Sequence, residues 1–135
     1  MRVREILFRG KRKDNGECVE GGILQDEGYV AILVYSDYHG WHDFIEVIPE
    51  SVSEFTGLTD KNGKKMFEGD IVAGAAHWLE RYKNGVVAFR DGSFGLIWYR
   101  GNIEQFNPFT SMCNVEYEVI DNIHDNPELL KGGEG

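Results

Sequence analysis

Short apolar runs separated by Asn-Gly and Asp-Gly pairs constrain the fold of this chain more than any other feature. The pairs occur at Asn15-Gly16, Asn84-Gly85 and Asp91-Gly92. Asn, Asp and Gly accept the positive φ that tight hairpin turns require. The runs between them are rich in β-branched and aromatic residues, which favour strands. This pattern predicts a mainly β protein with one or two short helices, and a small barrel in particular.

The first half of the chain predicts a small antiparallel sheet. Its strands are expected at residues 4–9, 18–24, 29–35 and 41–48. The run 29–35 is almost wholly apolar, which is typical of a strand in the interior of a sheet. Within the second strand, Gly21-Gly22 indicates a bulge or a close approach of another backbone.

The segment after this sheet predicts a short helix over residues 49–55. Pro49 suits a first helical turn, and Val52 and Phe55 are three residues apart and would share a buried side. Gly57 would then end the helix in a left-handed cap, with Leu58 packed back on its last turn.

Two turns are expected after that helix. The first is Asp60-Lys61-Asn62-Gly63, and the second is Gly69-Asp70, from which a strand begins at Ile71. Acidic residues in this stretch are also the type that a hydrolase uses. The Asp70 carboxyl is better interpreted as a cap on its own turn. Gly57, Gly63, Gly69 and Asp70 are therefore assigned to construction of the fold.

The second half is again expected to be β. Strands are predicted at 86–90, 94–99 and 115–120, followed by a short helix that begins at Pro127 and a flexible tail at 131–135. The expected division is an N-terminal β lobe at 1–65, whose last part (49–65) is a helix-turn linker, and a barrel with a terminal helical turn at 66–130.

The charge of the chain bears on its partners. Fourteen Lys and Arg against 23 Asp and Glu give a net charge of −9, and such a surface repels nucleic acid at long range. No apolar stretch reaches membrane-spanning length, and no signal-peptide core follows Met1. A cytoplasmic protein with two free thiols, Cys18 and Cys113, no membrane association and no cofactor is expected.

Four ordered blocks of sequence resemble the YopX family of phage and prophage proteins. The first is Phe8-Arg9-Gly10-Lys11-Arg12 with Gly16-Glu17, and the second is Pro49-Glu50-Ser51-Val52 with Phe55-Thr56-Gly57-Leu58 and Asp60-Lys61-Asn62-Gly63-Lys64. The third is Phe67-Glu68-Gly69-Asp70-Ile71-Val72, and the fourth is residues 117–130. Together the blocks span positions 8–130. Two positions depart from the family pattern: Cys18 stands where an aromatic residue is usual, and Asp121 where glycine is usual.

The resemblance implies a mostly β protein with an SH3-like barrel in its C-terminal half. It also implies a phage or prophage setting. The family supplies no established biochemical activity and no catalytic residues that could be carried over to this chain.

A basic cluster surrounds Gly10 and consists of Arg9, Lys11, Arg12 and Lys13. Residues 1–13 contain six basic groups and one acid, so this end of the chain carries +5. The cluster could dock phosphate or nucleic acid. It could equally pair with acids elsewhere in the fold, or keep a hairpin soluble and discourage edge pairing.

Several aromatic residues fall in the predicted barrel half, among them Trp78, Tyr82, Phe89, Phe94, Trp98 and Tyr99. SH3-like barrels often use exposed aromatics to hold extended peptides. Trp78 and Tyr82, at the ends of the run before Asn84-Gly85, are the candidates for partner binding. His39, His42 and Asp43 lack the third or fourth ligand that zinc needs, so they are interpreted as loop and strand residues.

No catalytic constellation can be assembled from this sequence, so we do not expect an enzyme. The leading hypothesis is a phage or prophage accessory protein that binds a protein partner. The alternative is a nucleic-acid accessory factor in phage replication or packaging that uses the basic N-terminal hairpin. The edge strands of a small β lobe also favour self-association across a two-fold axis.

Overall fold

The computed structural model describes residues 5–38, 40–74, 84–109 and 117–126. These residues contain eleven strands and one 3-10 turn at Pro49–Ser51, which confirms the mainly β prediction. The strands are Phe8–Lys11 (β1), Cys18–Asp26 (β2), Tyr29–Ser36 (β3), Trp41–Glu46 (β4), Ser53–Thr59 (β5), Lys65–Phe67 (β6), Asp70–Gly74 (β7), Asn84–Arg90 (β8), Ser93–Arg100 (β9), Ile103–Pro108 (β10) and Tyr117–Asn122 (β11).

The strands form two sheets. One has six strands in the order β4-β3-β2-β1-β5-β6, and the other has five in the order β10-β9-β8-β7-β11. All of the strand pairs whose registers are resolved are antiparallel. The chain divides into two compact units, residues 1–57 and 58–135, with the division inside β5. Among the described residues, no helix has the length and apolar character needed to cross a bilayer.

In the first unit, β2 changes partner part-way along its length. Its first half pairs with β1, whereas its second half pairs with β3. Gly21 lies at this change, where an added Cβ would stand 1.9 Å from the carbonyl oxygen of Leu33. Glycine is therefore required at position 21, because two backbones approach there too closely for any side chain.

The end of β1 also meets the end of β4. Arg12 forms an antiparallel bridge with Val47, and the amide of Ile48 donates to the carbonyl of Lys11 at 2.8 Å. The added Cβ of Gly10 would lie 3.0 Å from a methyl carbon of Val47, so glycine also allows this close packing. The core of the unit lies beneath these strands and comprises Val30, Ile32 and Val47, with Phe8, Val19, Ile23, Val34 and Val52 packed around them.

The predicted helix over 49–55 is wrong. Only the 3-10 turn forms there, and residues 53–59 continue as β5, which pairs with β1. The Ser51 hydroxyl accepts a hydrogen bond from the Lys11 amide at 2.8 Å, which ties the turn to β1. Gly57 does have a positive φ of 91°, but within a strand, and Leu58 is 45% exposed instead of packed on a helix. Pairing with β1 satisfies the backbone groups that a helix would have used.

The second unit contains the clearest of the predicted hairpins. Asp91 and Gly92 have φ values of 53° and 81° and connect β8 to β9, with Arg90 opposite Ser93. This two-residue turn confirms the prediction for Asp91-Gly92. The prediction for Asn84-Gly85 is wrong, because both residues lie in β8. An added Cβ at Gly85 would stand 2.5 Å from Leu96, so this glycine serves packing.

The core of the second unit joins its sheet to β6. It comprises Met66, Val72, Val87, Leu96 and Tyr117, with Phe109 and Val119 packed against them. Burial raises the pKa of Tyr117 to about 12. The SH3-like character of this unit and the boundary at 65/66 stay predictions. The expected helix at Pro127 and the tail at 131–135 lie outside the described residues.

Candidate functional site

One face of the β2-β3-β4 ladder carries exposed apolar side chains. The register places Leu33 opposite Phe44 and Tyr35 opposite His42, so these four side chains share a face. Leu24 lies on the same face through the pairing of β2 with β3. We call these five residues the outer surface. Leu24, Tyr35 and Phe44 are 42%, 55% and 57% exposed.

The opposite face of the β2-β3-β4 ladder packs against the core of the first unit. Val30, Ile32 and Val34 alternate with the outer-surface residues along β3 and belong to the core of the first unit. Strand β3 is therefore apolar on both faces. On its outer face Ala31 is buried, whereas Tyr35 is exposed. Neighbouring exposed large apolar side chains commonly mark a protein-interaction site, whereas scattered ones carry no such meaning.

Aromatic side chains pack together near the tip of the β3–β4 hairpin. The Tyr35 and His42 rings pack edge to face, with centroids 5.3 Å apart. On the other face of β4, the Trp41 indole N–H donates to Asp43 Oδ1 at 3.2 Å. Trp41 and Asp43 are both exposed. Aromatic residues with a polar handle of this kind are enriched at protein interfaces.

The free edge of β4 is the second feature of this site. The Val47 amide donates to the Val30 carbonyl at 3.0 Å, so the odd-numbered residues of β4 direct their backbone groups towards β3. The even-numbered residues direct theirs outwards. The outward carbonyl of Glu46 accepts from the Lys13 amide at 3.1 Å. Within the described part of the chain, nothing pairs with the outward groups of His42 and Phe44.

Carboxylates flank two members of the basic cluster. Arg12 makes a bidentate pair with Asp14, with N–O distances of 2.9 and 2.8 Å. This hydrogen bonding raises the pKa of Arg12 and lowers the pKa of Asp14. Lys13 pairs with Glu46 at 3.0 Å. These contacts correspond to the alternative in which the cluster pairs with acids.

The other two members of the cluster lie in β1. Arg9 stands opposite Glu20 of β2, an arrangement in which opposite charges are favourable neighbours. The backbone of Lys11 is held by Ser51 and Ile48. Because acids accompany Arg9, Arg12 and Lys13, the local field outside the hairpin is weaker than the count of basic residues suggests.

Asp60 is a buried carboxylate that accepts three backbone hydrogen bonds. It is 7% exposed, and its Oδ1 accepts from the amides of Asn62 and Lys64, both at 2.8 Å. Its Oδ2 accepts from the amide of Val119 at 2.9 Å. The bond from Val119, with those from Lys64 and Asn62, holds the pKa of Asp60 below its ordinary value. Asp60 thus joins its own turn to β11.

Hydrogen bonds connect the turns at Asp60 and at Gly69-Asp70 to strands of the second sheet. Gly63 has a φ of 82°, and its amide donates to the Asp60 carbonyl at 3.0 Å. Gly69 has a φ of 88° and bonds through its amide to Val87. The buried Asp70 carboxylate accepts from the Phe67 amide at 2.8 Å. The oxygens of Asp60 and Asp70 therefore hold backbone amides in place.

Trp78 and Tyr82, the candidates for partner binding, lie outside the described residues. Across the four described ranges, no three His, Cys, Asp or Glu side chains are grouped so that they could hold a metal ion. Sequence reasoning missed the outer surface. Its signal was the unbroken apolar run 29–35, whose alternate residues cannot all face one core, followed by Trp41 and Phe44 on the next strand.

Comparison with solved structures finds a neighbour that matches almost the whole chain. The crystal structure of protein EF1440 from Enterococcus faecalis has 25% sequence identity to this chain and a TM-score of 0.56. The similarity covers 95% of this chain and 99% of that one. The comparison with curated proteins gives no significant match.

A protein-family model identifies the chain at the level of the sequence. The model described as YopX protein matches residues 7–131, which include both compact units. The four sequence blocks that resemble the family all fall within this match. The chain therefore belongs to the YopX protein family.

Proposed function

We propose that this chain is a non-enzymatic accessory protein of a phage or prophage that acts in the cytoplasm by binding another protein. The observation that carries the proposal is the outer surface beside the free edge of β4. Its exposed aromatic and aliphatic side chains would be buried against a partner. Burial of apolar area is the dominant favourable contribution to most protein–protein association.

The engagement of the buried carboxylates supports a non-enzymatic role. A general acid or base must present its oxygen to a substrate. Both oxygens of Asp60 instead accept backbone amides, and Asp70 Oδ2 accepts the Phe67 amide. Substrate access to Asp60 would require these structural hydrogen bonds to break.

The nucleic-acid alternative receives less support from the same residues. Arg12 and Lys13 face carboxylates, and the whole chain carries −9. Binding to a polyanion would have to displace Asp14 and Glu46 and overcome the long-range repulsion of the remaining acids. Protein binding through an apolar surface needs neither step.

The proposal is tested by quantitative affinity purification from cells that contain the phage or prophage. Wild-type protein is compared with Phe44→Asp, which places a charge in the outer surface. The matched control is Phe89→Asp, because Phe89 is 53% exposed, close to the 57% of Phe44, but lies in the second unit. Both variants should keep the wild-type circular dichroism spectrum.

We expect a partner that is recovered with wild-type protein and Phe89→Asp but lost with Phe44→Asp. That partner is then purified and its binding to the three proteins measured directly. Equal recovery with Phe44→Asp and wild type would show that the outer surface does not carry the interaction. Recovery that depends on added nucleic acid and falls steeply with salt would favour the alternative.

A further inference from the structure

We infer that the partner binds by adding an extended segment to the edge of β4, and that this segment carries a basic residue opposite Asp43. The inference rests on the proposed function, since it specifies the chemistry of the protein partner. Three observations carry it: the outward backbone groups of His42 and Phe44, with which no described residue pairs, the aromatic row on one face, and the carboxylate on the other.

The backbone geometry is that of an open β edge. His42 and Phe44 each direct one N–H and one C=O away from β3, two residues apart. An added strand pairs with groups at this spacing. Further along the same edge, Glu46 is already engaged by the Lys13 amide. The open stretch is therefore short, from His42 to Phe44, and admits a segment of about five residues.

The side chains specify an alternating segment. Residues of the added strand that face the outer surface would contact Phe44, His42 and Tyr35, so apolar or aromatic side chains fit there. Residues on the other face would stand beside Asp43 and the exposed Trp41. A lysine or arginine at those positions pairs with the carboxylate and lies against the indole ring.

The same carboxylate disfavours a second copy of this chain as the occupant. In the antiparallel register that uses both free residues, His42 stands opposite Phe44 of the second copy, and Asp43 stands opposite its counterpart. Like charges directly opposite each other destabilise a strand pair. The net charge of −9 on each chain adds long-range repulsion. The Asp43 carboxylate at this edge therefore disfavours pairing with a second copy of the chain and favours a basic partner.

A peptide titration tests this chemistry directly. The probe is acetyl-KFKVK-amide, and the control is acetyl-EFEVE-amide, added to ¹⁵N-labelled full-length protein while amide spectra are recorded. We expect saturable shifts of the His42 and Phe44 amides with the lysine peptide and none with the glutamate peptide. In Asp43→Lys the preference should reverse.

Three results would overturn the inference. One is the absence of saturable shifts at millimolar peptide, and another is an equal response to both peptides. The third is a concentration-dependent change at the same amides without peptide, accompanied by dimer formation in sedimentation. That result would show that a second copy of this chain pairs with the edge of β4.

A matched pair of variants separates this inference from the proposed function. Phe44→Ala and Phe44→Pro both remove the phenyl ring, but only proline removes the outward N–H, which β3 does not use. We expect Phe44→Pro to bind a captured partner about tenfold more weakly than Phe44→Ala, as for the loss of one hydrogen bond. His42→Ala and His42→Pro serve the same purpose if Phe44→Pro fails to fold.

Equal affinity of the alanine and proline variants, both below that of wild type, would contradict strand addition. The proposed function would remain, because the outer surface would still bind the partner through its side chains. Wild-type affinity of all the variants would contradict the proposed function as well.

Discussion

Asp60 provides the sharpest prediction about stability, because one carboxylate holds three backbone amides. Asp60→Ala removes the two oxygens that accept these three hydrogen bonds, and it leaves the amides of Asn62, Lys64 and Val119 without this partner in a largely buried site. Asp60→Asn is the subtler change. Its single carbonyl oxygen can serve Asn62 and Lys64, but its NH₂ group then faces the Val119 amide, donor against donor.

The magnitudes follow from the number of hydrogen bonds lost. A net contribution of about 1 kcal/mol for each bond gives about 3 kcal/mol for Asp60→Ala. One lost bond and a donor–donor contact give about 2 kcal/mol for Asp60→Asn. With an unfolding entropy of about 2.1 cal/mol/K per residue, these values lower the Tm by about 10 °C and about 7 °C.

Differential scanning calorimetry of the wild type and both variants measures these shifts. The control is Asp37→Ala, which removes an exposed carboxylate from the β3–β4 loop and should leave the Tm within about 2 °C. A Tm unchanged by Asp60→Ala would refute the assignment of Asp60 as the link between its turn and β11.

The pH dependence of Asp60 has a definite sign. Its hydrogen bonds hold the pKa of the folded state below the ordinary 3.8, so the unfolded state binds the proton more readily. The contribution of Asp60 to stability is therefore complete above that value and is lost as the pH falls through the lower pKa of the folded state. Denaturant titrations between pH 5 and pH 2 should show a shallower loss of stability in Asp60→Asn than in the wild type.

Four further substitutions test local geometry by thermal denaturation. Gly21→Ala should destabilise by about 2 kcal/mol or more, because the new methyl group meets the Leu33 carbonyl oxygen. Gly22→Ala, whose Cβ would lie 3.9 Å from Leu33 Cβ, should stay within about 0.5 kcal/mol of wild type; equal effects would contradict the β2–β3 register. Gly92→Ala should cost about 1 kcal/mol, since φ is 81° there. Asp91→Asn should be neutral or slightly stabilising, because Asn tolerates its φ of 53° better; a loss above about 1 kcal/mol would refute this turn assignment.

Local signals in the sequence predicted much of the fold where the determining contacts are themselves local. Asp91-Gly92 forms the expected turn because both residues need positive φ and the flanking residues pair directly. The helix predicted over 49–55 does not form. The spacing of its two apolar residues, Val52 and Phe55, is equally compatible with the end of a strand. The backbone groups of this segment are satisfied by β1, more than 40 residues earlier.

Other features could not be predicted because their partners are distant or their residues are atypical. Strand β10, Ile103–Pro108, contains Glu, Gln, Asn and Pro, and only its pairing with β9 makes it a strand. Asp60 looked like an ordinary turn residue, since its bond to Val119 spans 59 positions. The outer surface depends on which alternate residues of β3 meet the core, and composition does not determine that choice.

Partner binding at the outer surface and the edge of β4 is the central proposal for this protein. The most direct measurement is the affinity of a purified partner for the wild type, Phe44→Asp and Phe89→Asp at physiological salt. We predict that Phe44→Asp weakens binding at least about tenfold, as expected for an interface residue that costs more than about 1.4 kcal/mol, while Phe89→Asp binds like the wild type. Wild-type affinity of a correctly folded Phe44→Asp would contradict the central claim.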